Sequence, residues 1–267
     1  MEPTPQNAQE FLTATYLGAN GWLLAFDGGP RVLVDPWFTG PLQFGPGDWL
    51  LKGELADPQP VPDAVDLLLL TQGLPDHCHP PSLSLLPKDL PVVGSASAAQ
   101  RVQALGFEHV VALRPGEQHN AARLTITATA GAPVPQVENG YLLDHPRGSL
   151  YLEPHGFLSP DLPSRPLSAV ITPVIDVGLP LAGPFVRGSR VLPQLIDRFH
   201  PATVLASTTG GDVSFTGLLA GLLQVHGSLD EVASRLATPP TEAPTPPCRF
   251  INPVPGTPYP IPTATVA

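Results

Sequence analysis

The chain has 267 residues, 42% of them hydrophobic and only 13% charged, against about a quarter charged in an ordinary globular domain. Its net charge of −10 argues against capture of nucleic acid through a basic face and against an anionic membrane surface. No apolar run reaches the roughly 18 residues of a membrane span, and Met1–Glu10 has neither the basic start nor the apolar stretch of a secretory signal. Cys78 and Cys248 are too few and too far apart for a disulfide framework, so reduced thiols and a cytoplasmic location are expected. The 37 prolines point to rigid connections rather than long helices. The length suits one α/β domain.

In chain order, residues 1–11 read as a mobile start. Leu12–Leu17, Trp22–Phe26 and Arg31–Asp35 read as short strands separated by Asn20-Gly21 and Gly28-Gly29-Pro30, which are hairpin connections. Pro36–Val65 has no clear period but holds Trp37, Phe38, Phe44 and Trp49, so it reads as a long loop that covers the core or lines a pocket. Leu67–Leu70 is a buried strand. Pro91–Gly94, Ala96–Leu105 and His109–Leu113 alternate strand, helix and strand, which implies parallel pairing. Arg123–Thr129, Gly140–Leu143 and Ser149–Leu152 form a second meander. Ser168–Val174 is a strand, and a glycine-rich stretch, Gly178–Gly188, is either a hinged lid or a plain connector. Arg190–Phe199 reads as a helix, Thr203–Ala206 as a strand and Phe215–Val225 as an apolar helix. Ser228 and Glu231 form a capping box for a last short helix. Prolines from Thr238 onward are too dense for ladder or helix, so the expected organisation is a domain over 1–237 and an extended Pro-rich tail over 238–267.

The stretch Asp66–Pro81 concentrates the chemistry. An apolar strand ends in Thr71-Gln72-Gly73-Leu74-Pro75-Asp76-His77-Cys78-His79, and Pro80-Pro81 then suits the first turn of a helix. This loop resembles the T-H-x-H-x-D-H metal loop of the metallo-β-lactamase fold. The earlier stretches Tyr16–Trp22 and Arg31–Trp37 resemble the opening hairpins of its lactonase-like branch. The Gln-Gly-Leu-x-Asp-His variant is similar to a cyanobacterial and plastid subgroup. The resemblance implies a four-layer αββα sandwich of the α/β (α+β) class and metal-dependent hydrolysis.

The departures are specific. Gln72 and Leu74 stand where that family has its first two histidines, and no histidine lies near Thr129–Pro133 or Ala206–Thr209. Leucine has no lone pair and a glutamine carbonyl is a weak ligand for zinc, so that half of a dinuclear site lacks its donors. Asp76 and His77 remain. The strand end that would carry the bridging aspartate reads Glu153-Pro154-His155. A remodelled site of Asp76, His77 and His155, with Glu153 or His79 assisting, would hold one zinc or iron ion, with Asp76 and His77 as the catalytic pair. The alternative is no metal at all, with Asp76 and His77 shaping the loop through hydrogen bonds.

Gln72, Leu74, Trp37, Trp49 and Asp176 are candidates for the wall of a pocket. Cys78 invites a thiolate reading between two histidines, or that of a small packed residue. Thr208–Asp212 reads as an anion-binding turn or a plain tight one. His109, His119, His145, His200 and His226 are scattered and read as surface or capping residues. Two functions follow. One is a hydrolase of an ester, lactone or phosphodiester. The other is an inactive descendant whose pocket binds a small molecule or a protein.

Overall fold

The computed structural model describes residues 10–45, 47–133, 138–180, 183–208, 213–237 and 248–263. The chain begins with the meander β1 (Glu10–Gly18), β2 (Gly21–Phe26) and β3 (Arg31–Val34), turning at Ala19-Asn20 and at Asp27–Pro30. A short hairpin follows, β4 (Leu42–Phe44) and β5 (Leu51–Leu55), within the segment expected to be a loop. Next come β6 (Leu67–Leu70), α1 (Pro80–Leu83), β7 (Val92–Gly94), α2 (Ala96–Ala104) and β8 (Val110–Ala112), with β3, β6, β7 and β8 paired in parallel. Ser95 caps α2, its side chain accepting from the Ala98 N–H, and α1 starts on Pro80, where the missing N–H costs no helical bond.

The second half repeats the plan. An antiparallel meander, β9 (Gln118–Ala121), β10 (Leu124–Ala130), β11 (Asn139–His145) and β12 (Gly148–Leu152), leads to β13 (Ala169–Thr172) in parallel. The hairpin β14 (Asp176–Leu179) and β15 (Gly183–Arg187) precedes α3 (Gly188–Phe199) and β16 (Thr203–Ala206). Then follow β17 (Val213–Thr216), a 3₁₀ turn at Ala220–Leu222, β18 (Gln224–His226), α4 (Leu229–Ala237), β19 (Arg249–Ile251) and β20 (Pro258–Pro262).

Two seven-stranded sheets result, ordered β20-β1-β2-β3-β6-β7-β8 and β19-β16-β13-β12-β11-β10-β9. Side-chain alternation assigns the layers. In β6, Leu67 and Leu69 enter the core between the sheets with Trp22, Ile126 and Tyr141, whereas Leu68 and Leu70 pack under α1 and α2 against Leu83 and Val102. On the far side Tyr151 and Val170 meet Leu195 and Phe199 of α3, and Val204 meets Leu236 of α4. The architecture is therefore the αββα sandwich of the metallo-β-lactamase type. No helix among the described residues is long and apolar enough to cross a membrane.

Three expectations need correction. Phe215–Val225 is not a helix: β17 pairs with β5, Gly217 takes φ +101°, and β18 pairs with β14, so the apolar residues wall a cleft instead of packing into the core. Gly178–Gly188 is not an open connector, because β14 and β15 pair across it as a hairpin. Within 238–267, β19 adds in parallel to β16, and β20 pairs antiparallel with β1. Ladder survives there because Pro258, Pro260 and Pro262 alternate with Tyr259 and Ile261 on an outermost strand, so the residues lacking an N–H all face away from β1. The expected mobile start falls mainly on residues 1–9, outside the described residues.

Candidate metal centre

The end of β6 sets the geometry. Gly73 approaches α2 so closely that a Cβ there would meet the Ser97 carbonyl oxygen at 2.6 Å, and its N–H donates to Ser97 Oγ at 3.0 Å. A tight turn follows, in which the His77 and Cys78 N–H groups both donate to the Leu74 carbonyl at 3.0 and 2.7 Å. Asp76 and His77 thereby face the rim between the sheets, where the loop after β12 brings His155. One ligand atom from each of the three lies within 4.8 Å of the others, and the two imidazole centroids are 5.1 Å apart.

Each imidazole is held by a buried acid. His77 Nδ1 lies 2.7 Å from Asp35 Oδ2 and 2.9 Å from Thr71 Oγ1. Asp35 itself accepts from the Thr71 N–H at 2.9 Å and its hydroxyl at 2.5 Å. His155 Nδ1 lies 2.8 Å from Glu138 Oε2, which also accepts from Gln72 Nε2 at 2.9 Å. With both Nδ1 atoms occupied, the Nε2 atoms are the ones left to serve the centre, the arrangement that orients histidine ligands in metalloproteins. Asp76 Oδ1 is buried without a hydrogen-bond partner among the described residues, and Oδ2 lies 3.3 Å from His77 Nε2. A carboxylate oxygen and two imidazole nitrogens, one oxygen of the carboxylate left unsatisfied, form a donor set that fits one zinc or iron ion.

The electrostatics divide the two rings. Burial alone would lower the His77 pKa, but Asp76 and Asp35 outweigh it and hold the ring well above its ordinary value. Burial, then the charge of His77, push His155 down to about 4, which leaves it a neutral donor through Nδ1–H to Glu138. Burial would raise Asp76, yet its neighbours His77 and His155 hold it below the usual carboxylate range. Behind His155, burial pushes Glu138 up to about 7 and lifts Glu153 well above its ordinary value, the latter helped by the Glu138 charge.

The remaining candidates take other places. Glu153 is fully buried and shapes the loop, accepting from the Phe157 N–H at 2.6 Å and the His155 N–H at 3.2 Å. His79 turns the opposite way, between Ser82 Oγ at 2.9 Å and the Pro41 carbonyl at 3.2 Å, so neither joins the triad. Gln72 is buried behind the site on Glu138. Trp37 is buried and lines the adjoining cavity with Leu74, whereas Trp49 is 61% exposed and does not line it. Asp176 is not a pocket residue either: it accepts from the Ser189 N–H at 2.9 Å and Oγ at 2.6 Å and secures the start of α3. Cys78 is a packed core residue whose thiol burial pushes up to about 12. Of the suspected anion-binding turn only Thr208 is described.

The sequence alone gives Asn20, Asp35 and Glu138 no place in the site, and reads Thr208 only as the start of an anion-binding or plain tight turn. Asn20 was read as a hairpin residue, yet its Nδ2 lies 3.3 Å from His77 Nε2 and its Oδ1 accepts from Thr208 Oγ1 at 2.7 Å. Ala19, Asp35 and Thr208 hold φ of 48°, 39° and 59°, values that side-chain-bearing residues rarely adopt, and all three surround the site. Such strain concentrates at functional sites. The triad's Asp76 and His155 open on a cavity of about 510 Å³, lined among others by Trp37, Leu74 and Thr208.

The chain belongs to the beta-lactamase superfamily domain family, whose model matches residues 13–207. Solved structures agree on the fold. The isothiocyanate hydrolase from Delia radicum gut bacteria is 17% identical, with a TM-score of 0.67 over 94% of this chain and 100% of that one. Igni18, a metallo hydrolase from the archaeon Ignicoccus hospitalis, is 14% identical, with a TM-score of 0.60 over 93% and 97%. CmlA, a diiron beta-hydroxylase from Streptomyces venezuelae, is 19% identical, with a TM-score of 0.55 over 79% of this chain; the match spans only 46% of CmlA. A search of curated protein sequences returned no match.

Proposed function

We propose that the protein is a metal-dependent hydrolase that works with a single ion held by Asp76, His77 and His155, and that it cleaves an ester or lactone. The observation that carries this reading is the paired restraint of His77 by Asp35 and of His155 by Glu138, at 2.7 and 2.8 Å, around the unpartnered Oδ1 of Asp76. A zinc or iron ion, when bound, supplies Lewis acidity and makes a neighbouring water acidic enough to lose a proton near neutral pH. With one carboxylate oxygen on the ion, the other oxygen of Asp76 would hold the proton released by the attacking water and return it to the departing oxygen. Hydrolysis adds hydroxide to the carbonyl carbon as the acyl–oxygen bond breaks. Asn20 Nδ2, steadied through Oδ1 by Thr208, is the neutral donor nearest the site and suits the carbonyl oxygen as charge gathers on it. Gln72 and Leu74, at the positions of the missing histidines, supply neither imidazole for a second ion beside the first.

The test is metal analysis of protein purified without added metal or chelator, together with turnover of simple esters. About one zinc or iron per chain is expected, lost in His77→Ala and His155→Ala along with turnover. Wild-type protein free of metal, or turnover that survives His77→Ala, would overturn the reading. A metal-free protein with the same cavity would instead be a binding module.

A further inference from the structure

We infer that the cavity beside the triad is built for an amphiphile, with its polar head at the triad and a long, uncharged apolar tail between the two small sheets. In the hydrolase reading, on which only the choice of scissile bond rests, this makes the substrate an ester or lactone with a long, uncharged aliphatic or aromatic chain.

Three observations converge. First, the polar groups are segregated. Asn20, Asp76, His155 and Thr208 gather at one end, and the rest of the lining is hydrocarbon apart from backbone and the Trp37 indole N–H, which donates to the Gly40 carbonyl. Second, that hydrocarbon comes from both small sheets. Leu42, Phe44, Leu51 and Phe215 come from the β4–β5–β17 sheet, and Val177 and Val225 from the β14–β15–β18 sheet. These elements stand outside the sandwich core, and Phe215 and Val225 remain 43% and 58% exposed. A folded chain that leaves large apolar side chains open on opposite walls of one cleft has a use for them. Third, no Lys or Arg lines the cavity among the described residues, Asp76 sits at its polar end, and the whole chain carries −10. A carboxylate on the tail, beyond the triad, would meet hydrocarbon and no compensating cation.

The test uses inert probes that contain no bond to hydrolyse. Calorimetric titration of the purified full-length protein with straight-chain 2-alkanones of six to ten carbons should show affinity rising roughly fourfold per added methylene. 9-Oxodecanoate, the same methyl ketone ended by a carboxylate at the far end of its tail, should bind at least about tenfold more weakly than 2-decanone, because that charge has no partner in the wall. Phe215→Asp and Val225→Asp place a carboxylate on opposite walls at half-exposed sites, and each should flatten the dependence on chain length. A thermal melt unchanged from wild type shows that the variants fold. Affinity indifferent to chain length, 9-oxodecanoate binding as well as the ketone, or both folded variants keeping the wild-type slope would overturn the inference. Graded ketone binding without turnover of any ester would defeat the hydrolase reading alone. Turnover of short and long esters at equal rates, with no ketone bound, would defeat this one alone.

Discussion

His77 and His79 stand two residues apart in one loop, both buried, and the structure puts them to opposite uses. The Nδ1 of His77 is held by the Asp35 carboxylate, and its Nε2 faces Asp76 and, across the rim, His155. His79 spends both nitrogens on Ser82 and the Pro41 carbonyl, with its ring edge-on to Trp37, and burial lowers its pKa. A ligand-competent histidine is thus distinguished less by its neighbours in sequence than by what anchors its far nitrogen. An anionic anchor raises the basicity of the free nitrogen, whereas a hydroxyl and a carbonyl fasten the ring into the framework.

The contrast can be broken at several points. The largest effect is expected from removing His77 itself: His77→Ala should abolish co-purified metal, read by elemental analysis. Asp35→Asn keeps the shape but removes the anionic anchor, and should weaken metal affinity by about 10- to 100-fold in competition with a chelating dye. Glu138→Gln should do the same on the His155 side, which would show that the two anchors are equivalent. His79→Ala should leave metal content unchanged but lower stability by about 1–3 kcal/mol in urea, because Ser82 Oγ and the Pro41 carbonyl lose their buried partner. The smallest effect concerns Cys78, which lies between the two rings. Only thiolate reacts with disulfide reagents, and burial pushes this thiol up to about 12 and Cys248 to about 11. At pH 8 both should be nearly inert in the native protein and react fully once urea unfolds it.

Much of the fold could be read from the chain because local and global patterns agree. Leu67–Leu70 is apolar on both faces, as a strand between a facing sheet and a helix layer must be, and Ser95 and Pro80 mark helix starts by known chemistry. Phe215–Val225 misled because apolar residues lining a cleft look like those entering a core; Gly217 and Gly221 within the run were the contrary signal. Within the site, Asp76, His77 and His155 could be named because loop pattern and strand ends confine where ligands sit. Glu138 could not, since a lone acid distant in sequence from its partners obeys no spacing rule. Asp176 shows the reverse error: an acid at a strand end looks catalytic, yet here it secures the first turn of α3.

The alternating prolines of β20 have one further consequence. A free sheet margin is a template on which another molecule's strand can grow into a fibre. Along the outer side of β20, Pro258, Pro260 and Pro262 present no N–H, and Arg249 Nη1 covers the outward Pro260 carbonyl at 3.1 Å. The segment that looked too rich in proline for any sheet therefore finishes this one with a selvedge, closed to self-assembly on that side.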